Sequence, residues 1–325
     1  MVAFQRLFGA PLSAAGAVAL ALFLTLSTGA FAAWPDKTVH YVLPFPPGGE
    51  SDVAARFQQQ TFKKKFNQDM IVESKVGAGG ALAWAQLNAM PNDGYTIMGI
   101  NLPHIVLQPM EGNVQYKTDD LQSIYWFHFT PDALIVASDS PYKTIQQFIA
   151  AAKEKPGILT LAGSGTNSAN HVAHEKLNML GGIKTTYVPF KGTGDLISSV
   201  LGGHVTGTMS YITFAQMQKG KVRMLAVATE KRHPMFPDVP TFREVGLNWV
   251  DGAYRGIAVP KSTPPDIQKR ISDAFDAINK DPEFRKQMID GGFEPVDIGV
   301  EQVPAFLVQR KKDYEDVARK MGLMK

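Results

Sequence analysis

Apolar residues along the chain follow two alternating patterns, one with the period of a strand and one with the period of a helix. Short apolar runs predict strands at residues 39–43, 70–73 and 95–100, with a helix in each gap between them. The same order continues to residue 228, and residues 263–321 are predicted to be mainly helical. Alternating strands and helices are typical of an α/β fold with a parallel sheet.

Small residues occur at four places where a predicted strand ends and a helix begins. We call them the first to fourth loops, and they cover residues 44–49, 77–80, 163–168 and 188–194. Glycine lets the backbone approach a ligand closely, and the first N–H groups of a helix have no acceptor within that helix. Ser51 is the predicted N-cap after the first loop. Such corners favour the binding of an anion.

Length and composition restrict the classes of protein that remain. A chain of 325 residues, 45% of them hydrophobic, exceeds what one core usually supports, so we expect two lobes. Lys and Arg (33 residues) nearly balance Asp and Glu (30), and their scatter argues against nucleic-acid binding. The absence of cysteine excludes a disulfide scaffold, a thiolate metal site and a cysteine nucleophile.

The N-terminal residues 1–32 have the pattern of a signal peptide. Arg6 supplies a positive charge, residues 12–26 form an apolar run, and Ala30-Phe31-Ala32 fits a cleavage site after Ala32. A retained membrane anchor is the alternative, although the run is short for a spanning helix. We expect an exported, soluble protein after cleavage.

The predicted elements also suggest where the chain passes between the lobes. It crosses near residues 131–141 and returns at 252–259. The first lobe is therefore predicted to comprise residues 33–135 and 254–325, including the C-terminal helices, and the second lobe residues 136–253.

Five stretches of the chain, in this order, resemble the solute-binding receptors of tripartite tricarboxylate transporters, also called Bug-type receptors. They are LPFPPGGESDVAAR, GAGGALAWAQLNAMPNDGYTIMGI, GSGTNSANHVAHEKL, YVPFKGTGDLISSVLGGHV and KVRMLAVATEKRHPMFPDVPTFREVG. The resemblance implies a type II periplasmic binding protein, with two Rossmann-like lobes, hinge crossings and a central cleft that closes like a Venus flytrap. It further implies a monomeric, periplasmic, non-enzymatic receptor that passes a small carboxylate to membrane transporter subunits, with no catalytic residue, metal or cofactor.

The resemblance also implies which residues bind the ligand. In the family, backbone amides and small polar side chains of the loops hold a carboxylate. Carried over to this chain, the contacts are Phe45, Pro46, Gly48, Gly49, Ala78, Gly79, Ser164, Gly165, Thr166, Asn167 and Ser168.

Three further residues are candidates because their chemistry suits an anion. Asn101 and His104 follow a predicted strand where the family usually has Ser or Thr; His104 either donates to a second carboxylate or packs within its loop. Lys191 in the fourth loop either adds positive charge or forms a surface ion pair. Ser210 stands where many members have an acidic residue, which argues against an amino-acid ligand.

Two other patterns have competing interpretations. The aromatic run at residues 125–129 is either a wall for a planar ligand or, more often for such a run, core. His171 and His174 share a helical face, which suits a metal or two solvated side chains.

Two classes of function remain from the sequence. One is a receptor for an aliphatic dicarboxylate, an aromatic carboxylate or an amino acid. The other is an exported α/β enzyme or sensor module that uses the same cleft. Gly-x-Ser-x-Gly, Rossmann and P-loop motifs are all missing from the loops, which favours the receptor.

Overall fold

The computed structural model describes residues 34–320 and 322, so the predicted signal peptide lies outside the described residues. The strands are β1 Val39–Leu43, β2 Met70–Ser74, β3 Thr96–Leu102, β4 Gln122–Ala137, β5 Thr160–Ser164, β6 Thr186–Phe190, β7 Gly207–Tyr211, β8 Val222–Val227, β9 Gly252–Val259 and β10 Glu294–Gly299. The helices are α1 Glu50–Phe66, α2 Ala81–Trp84, α3 His104–Glu111, α4 Ile145–Glu154, α5 Ala169–Gly181, α6 Thr193–Leu201, α7 Ile212–Met217, α8 Pro265–Asn279, α9 Pro282–Asp290 and α10 Val303–Lys320.

The strands form one curled sheet in the order β2-β1-β3-β9-β4-β7-β5-β6, with β8 and β10 also paired to β4. Neighbours are parallel in β2-β1-β3 and in β6-β5-β7, but β9, β4, β8 and β10 pair antiparallel. The prediction of a parallel sheet is therefore wrong at the centre. There the chain enters and leaves as extended strands, without the helical crossovers that parallel neighbours require.

Strand β4 connects the two lobes. Its residues 122–131 pair with β9, and its residues 132–137 pair with β7 and β8. The first lobe thus contains β1–β3, β9, β10 and the start of β4, and the second contains β5–β8 and the end of β4. The two-lobed α/β fold is confirmed, whereas the boundaries at residues 135 and 253 stay predictions.

The aromatic run lies in the first lobe's part of β4 and belongs to its core. Tyr125, Trp126 and Phe127 are at most 2% exposed. Phe127 stacks on Phe275 of α8 at 6.5 Å between ring centroids, and Trp126 packs against Phe306 of α10 at 5.6 Å. Burial of each large apolar side chain stabilises the fold by about 1.5–3 kcal/mol. The core interpretation of this run is confirmed.

Two local predictions are wrong. Helix α1 begins at Glu50 with Gly49 as its N-cap, two residues earlier than the predicted N-cap Ser51, because the Asp52 carboxylate accepts from the Gly48 N–H at 3.0 Å and fixes the turn there. Strand β10 lies within residues 263–321, which the sequence predicts to be mainly helical, and it contains Pro295 and Asp297, residue types that are uncommon in strands. Pairing with β4 holds it extended. Among the described residues, no helix is long and apolar enough to cross a membrane.

Candidate functional site

A small cavity lies where the two lobes meet at the ends of their parallel strands. Its volume is about 20 Å³, room for roughly one water molecule. Its lining comprises Phe45, Gly49, Glu50, Ser51, Asn101 and His104 from the first lobe, Ser164 and Thr193 from the second, and Arg255 on β9. Five of the predicted site residues are therefore brought together here: Phe45, Gly49, Asn101, His104 and Ser164.

The second and third loops touch each other across the lobes without lining this cavity. A Cβ atom built on Gly165 would lie 3.6 Å from the Cα atom of Gly79, and one on Gly79 would lie 3.9 Å from the Thr166 carbonyl oxygen. Asn167 donates from Nδ2 to Oε2 of Glu111 in the first lobe at 2.5 Å. These predicted residues thus hold the lobes against each other in this closed arrangement.

The remaining predicted residues lie at the edge of the site. Pro46 packs against Gly192, and Ser168 is the buried N-cap of α5, where its hydroxyl accepts from the His171 N–H at 3.1 Å. Four predicted site residues are exposed to solvent and do not line the cavity: Gly48, Ala78, Thr166 and Lys191. Their part in ligand binding stays a prediction.

Several loop amides that were predicted to donate to the ligand already donate hydrogen bonds to protein acceptors. The Ser164 N–H donates to Oδ1 of Asn170 at 3.0 Å, the Gly48 N–H to Asp52, and the Asn167 N–H to Nδ1 of His171 at 3.1 Å. By contrast, the first N–H groups of α1 and α6 have no acceptor within their helices. The amides that remain free to bind an anion are therefore those at the two helix starts.

The starts of α1 and α6 face each other across the cleft. A Cβ atom built on Gly49 would lie 3.8 Å both from the Gly194 nitrogen and from the Thr193 Cβ atom. Helix α3 begins beside them at His104. Each helix start carries partial positive charge, so their convergence from both lobes favours an anion in the cavity.

Sequence reasoning missed Glu50 and Arg255, which form a buried ion pair at the cavity. The side chains are 1% and 5% exposed, and Arg255 Nη2 contacts Glu50 Oε2. Thr213 of the second lobe donates to Glu50 Oε1 at 2.9 Å. Two signals were available: one charged residue within the apolar strand GAYRGIAV, and an acid directly after Gly48-Gly49.

His104 lies at the cavity and in the core at once. Its ring makes edge contacts with Phe45 at 5.6 Å and Trp84 at 6.2 Å between centroids. Burial, together with the charge of Arg255, lowers the pKa of His104 to about 3. The imidazole is thus neutral and retains one N–H donor, and neither ring nitrogen has a hydrogen-bond partner among the described residues.

The histidine pair on α5 packs against protein groups. His174 is buried and its Nε2 lies 2.9 Å from the Thr185 hydroxyl, so the description of this residue as solvated is wrong. His171 stacks on Tyr187 at 4.5 Å. Within residues 34–320 and 322, no group of three metal-ligating side chains occurs.

A two-lobed α/β fold with an anion-binding cleft between its lobes defines a solute-binding protein of the periplasmic type. The family described as "Tripartite tricarboxylate transporter family receptor" matches residues 54–323, and the chain belongs to this family. The predicted kinship with Bug-type receptors is confirmed.

Individual relatives are similar over most of their length. A protein encoded in the gbd 5′ region of Cupriavidus necator is 31% identical over 294 residues, covering 90% of each chain. BugT of Bordetella pertussis is 26% identical over 299 residues, covering 89% of this chain and 90% of BugT.

Solved structures agree with this assignment. The periplasmic binding protein BugD superposes with a TM-score of 0.84 at 27% identity, covering 90% of this chain and all of that one. MatC of Rhodopseudomonas palustris, solved with bound malate, has a TM-score of 0.80 at 26% identity, covering 87% of this chain and 99% of MatC.

Proposed function

We propose that the protein is a periplasmic receptor that captures a small organic carboxylate between its lobes and passes it to membrane subunits of a tripartite tricarboxylate-type transporter. The observation that carries this proposal is the convergence of the α1 and α6 starts on one cavity, one from each lobe. Malate, which is bound in MatC, is a dicarboxylate, and that relative supports a carboxylate ligand here.

Affinity for such a ligand requires both lobes. Micromolar binding corresponds to about 8 kcal/mol, while one charge-assisted hydrogen bond contributes about 1.5–3 kcal/mol. Association also costs at least about 4 kcal/mol in lost translational and rotational freedom, which raises the requirement beyond what one helix start supplies, so the ligand must be bound from both sides. Because the cavity holds only about 20 Å³ in this arrangement, room for roughly one water molecule, the lobes must separate to admit a carboxylate and then close around it less completely than they do here.

The arrangement of polar groups supports a receptor over an enzyme. The Ser164 hydroxyl donates to Oδ1 of Asn170 at 2.5 Å, and an amide oxygen is not a general base. His104 makes no hydrogen bond to Ser164. An activated nucleophile needs an adjacent base, and this pair does not supply one.

Export of the chain, cleavage of residues 1–32 and action as a monomer complete the proposal. They rest on the signal-peptide pattern, on family membership and on a cleft formed by two lobes of one chain.

Thermal unfolding with aliphatic dicarboxylates, aromatic carboxylates and amino acids tests the proposal, since a bound ligand stabilises the folded state by about 2.7 kcal/mol at a hundred times its Kd. We expect the melting temperature to rise with at least one unaminated carboxylate, and not with its uncharged amide. Stabilisation by amino acids alone would contradict the preference for unaminated acids.

The enzyme alternative has its own test. Purified protein is incubated with each acid that binds, and the acid is quantified over time. Turnover that is lost in a Ser164→Ala/His104→Gln variant while affinity remains would replace the receptor by an enzyme.

A further inference from the structure

Arg255 is a charged residue in the middle of a strand that is otherwise apolar or small. It lies on β9 between Tyr254 and Gly256, and 4% of it is exposed. Burying a guanidinium is costly unless its donors are paired. The partners of its nitrogens therefore show what the side chain is placed to do.

Three sides of the guanidinium are fixed by protein groups. Nη2 contacts the Glu50 carboxylate, and Nε donates to the Asn101 amide oxygen at 3.2 Å when that amide is oriented to satisfy both of its neighbours. The group also lies 4.7 Å from the ring centroid of Tyr211. Its planar fork is thus held in one orientation by first-lobe and second-lobe residues together.

The fourth side is open. Arg255 Nη1 is buried and has no hydrogen-bond partner among the described residues. Buried polar groups are almost always paired, and an arginine that served only to neutralise Glu50 would not need to leave this nitrogen orphaned at a cavity wall. Arg255 lines the same cavity as Gly49 and Thr193 at the helix starts.

A second unpaired donor lies beside it. His104 also lines the cavity, and both of its ring nitrogens are buried without a partner in the part of the chain that the structure describes. The cavity therefore has two groups of donors, one at the starts of α1 and α6 and one at Arg255 and His104.

The charge of Glu50 is already compensated within the protein. Its Oε1 accepts from Thr213 at 2.9 Å, and its Oε2 is in an ion pair with Arg255. A ligand ammonium group at this cavity would meet the positive charge of Arg255 as well as the carboxylate. Glu50 consequently acts on the ligand through the orientation it imposes on Arg255.

We propose that Arg255, positioned by Glu50 and Asn101, is a specificity-determining residue whose Nη1 binds a second carboxylate of the ligand. The receptor then prefers diacids over monoacids of the same carbon number, and unaminated diacids over diacids that carry an ammonium group. This inference rests on the proposed function, because the first carboxylate is bound at the helix starts.

The test measures affinity by calorimetry for matched pairs of acids. The pairs are each linear diacid from malonate to adipate with the monoacid of equal carbon number, and phthalate with benzoate; aspartate is compared with succinate. For the best-bound diacid we expect wild-type affinity about 10- to 100-fold above that for its monoacid, the size of one charge-assisted interaction.

The key variant is Glu50→Gln/Arg255→Gln, which removes both charges of the ion pair together, so that neither is left buried without the other. We expect its affinities for diacid and monoacid to agree within about threefold, because the diacid loses more affinity than the monoacid. The matched control is Arg232→Gln/Glu244→Gln, which removes an exposed ion pair of 2.9 Å in the second lobe. It should keep the full preference for the diacid.

Each other result has a defined meaning. Equal losses for diacid and monoacid in the key variant would make Arg255 structural and overturn the inference. A wild-type protein that binds monoacids or aspartate as tightly as diacids would overturn it too, but would leave the proposed carboxylate receptor intact. A wild-type protein that binds none of these acids would remove the proposed function and the inference with it.

A second variant decides the matter if the key variant fails to fold. Arg255→Lys keeps the charge but lacks the planar fork. We expect it to lose most of the diacid preference while it retains cooperative unfolding. An unchanged preference in a folded Arg255→Lys protein would contradict the inference.

Discussion

Gly48 and Gly49 are adjacent, yet the structure gives them different tasks. Gly48 has a φ of +79° with open space around it, and its N–H is bound by Asp52. Gly49 has an extended backbone with a φ of −84° and faces the start of α6. Backbone geometry requires the first glycine, whereas a Cβ atom on the second would make only ordinary contacts of 3.7–3.8 Å and would instead take up space beside the start of α6.

These roles predict opposite effects of alanine. Gly49→Ala places a methyl group 3.8 Å from the Gly194 nitrogen, where a carboxylate would bind, so affinity should fall at least about tenfold with under about 1 kcal/mol lost in stability. Gly48→Ala should lose about 1–2 kcal/mol of stability and keep its affinity. Calorimetry and urea unfolding on both variants check this, and an exchange of the two outcomes would refute the assignment.

His104 makes stability depend on pH. Above its ordinary pKa of 6.5 the folded and unfolded states are both neutral, so its contribution is complete there. As the pH falls from 6.5 towards about 3, only the unfolded state binds the proton, and stability is lost at up to about 1.4 kcal/mol per pH unit.

Urea unfolding of wild type and His104→Gln between about pH 4.5 and pH 8 measures this contribution. The wild type should lose more stability on acidification than the variant. Below about pH 5.5, the slope of its unfolding free energy against pH should exceed that of the variant by the equivalent of nearly one bound proton. His128, whose pKa is lowered by burial and by Arg255, adds to the slope that remains. Parallel pH profiles would show that His104 is protonated in the folded state.

At the scale of elements, α1 and α6 meet end to end across the cleft. Their like-signed starts repel each other unless an anion lies between them. A Cβ atom built on Gly194 would lie 3.0 Å from the Pro47 carbonyl oxygen of the opposite lobe, which is tighter than ordinary contact. Gly194 is thus required for closure and not for the fold of its own lobe.

Gly194→Val should therefore weaken carboxylate binding at least about tenfold while the melting temperature without ligand stays nearly unchanged. Ser198→Val is the control, because it adds the same branched side chain at an exposed position of α6. Normal affinity in Gly194→Val would mean that the lobes need not approach this closely.

The molecule as a whole behaves as two lobes joined by β4 and β9, with few polar contacts across the cleft. Asn167 bonds to Glu111, and Thr213 bonds to Glu50. In this closed arrangement Arg255 Nη1 is also buried without a partner, which costs free energy in the absence of a ligand. Water can satisfy this nitrogen when the lobes separate, so the open form should dominate until a carboxylate binds.

Solution scattering tests this balance. A saturating diacid should lower the radius of gyration towards about 19 Å, the value for a compact chain of this size. The uncharged diamide of the same acid is the matched control and should leave it unchanged. A radius equal with and without the diacid would show that closure does not depend on the ligand.

Most of the loops at the site could be predicted from the sequence. Phe45, Gly49 and Ser164 lie in short segments whose glycine, proline and small polar residues indicate a turn between a strand and a helix. Glu50 and Arg255 could not be paired in the same way. They are far apart along the chain, and their contact depends on the crossing strand β9 lying beside β3 and β4.

By itself the sequence determined the α/β class and the corners where helix starts offer donors, because these depend on local composition and hydrophobic period. The chain length predicted two lobes, and the resemblance of five stretches in order indicated the family. Only the tertiary structure decided which amides remain unpaired, which corners share a cavity and which charge stands at its wall. Those properties depend on residues distant in the chain, whose hydrogen bonds and charges compensate one another only after both lobes have folded and closed.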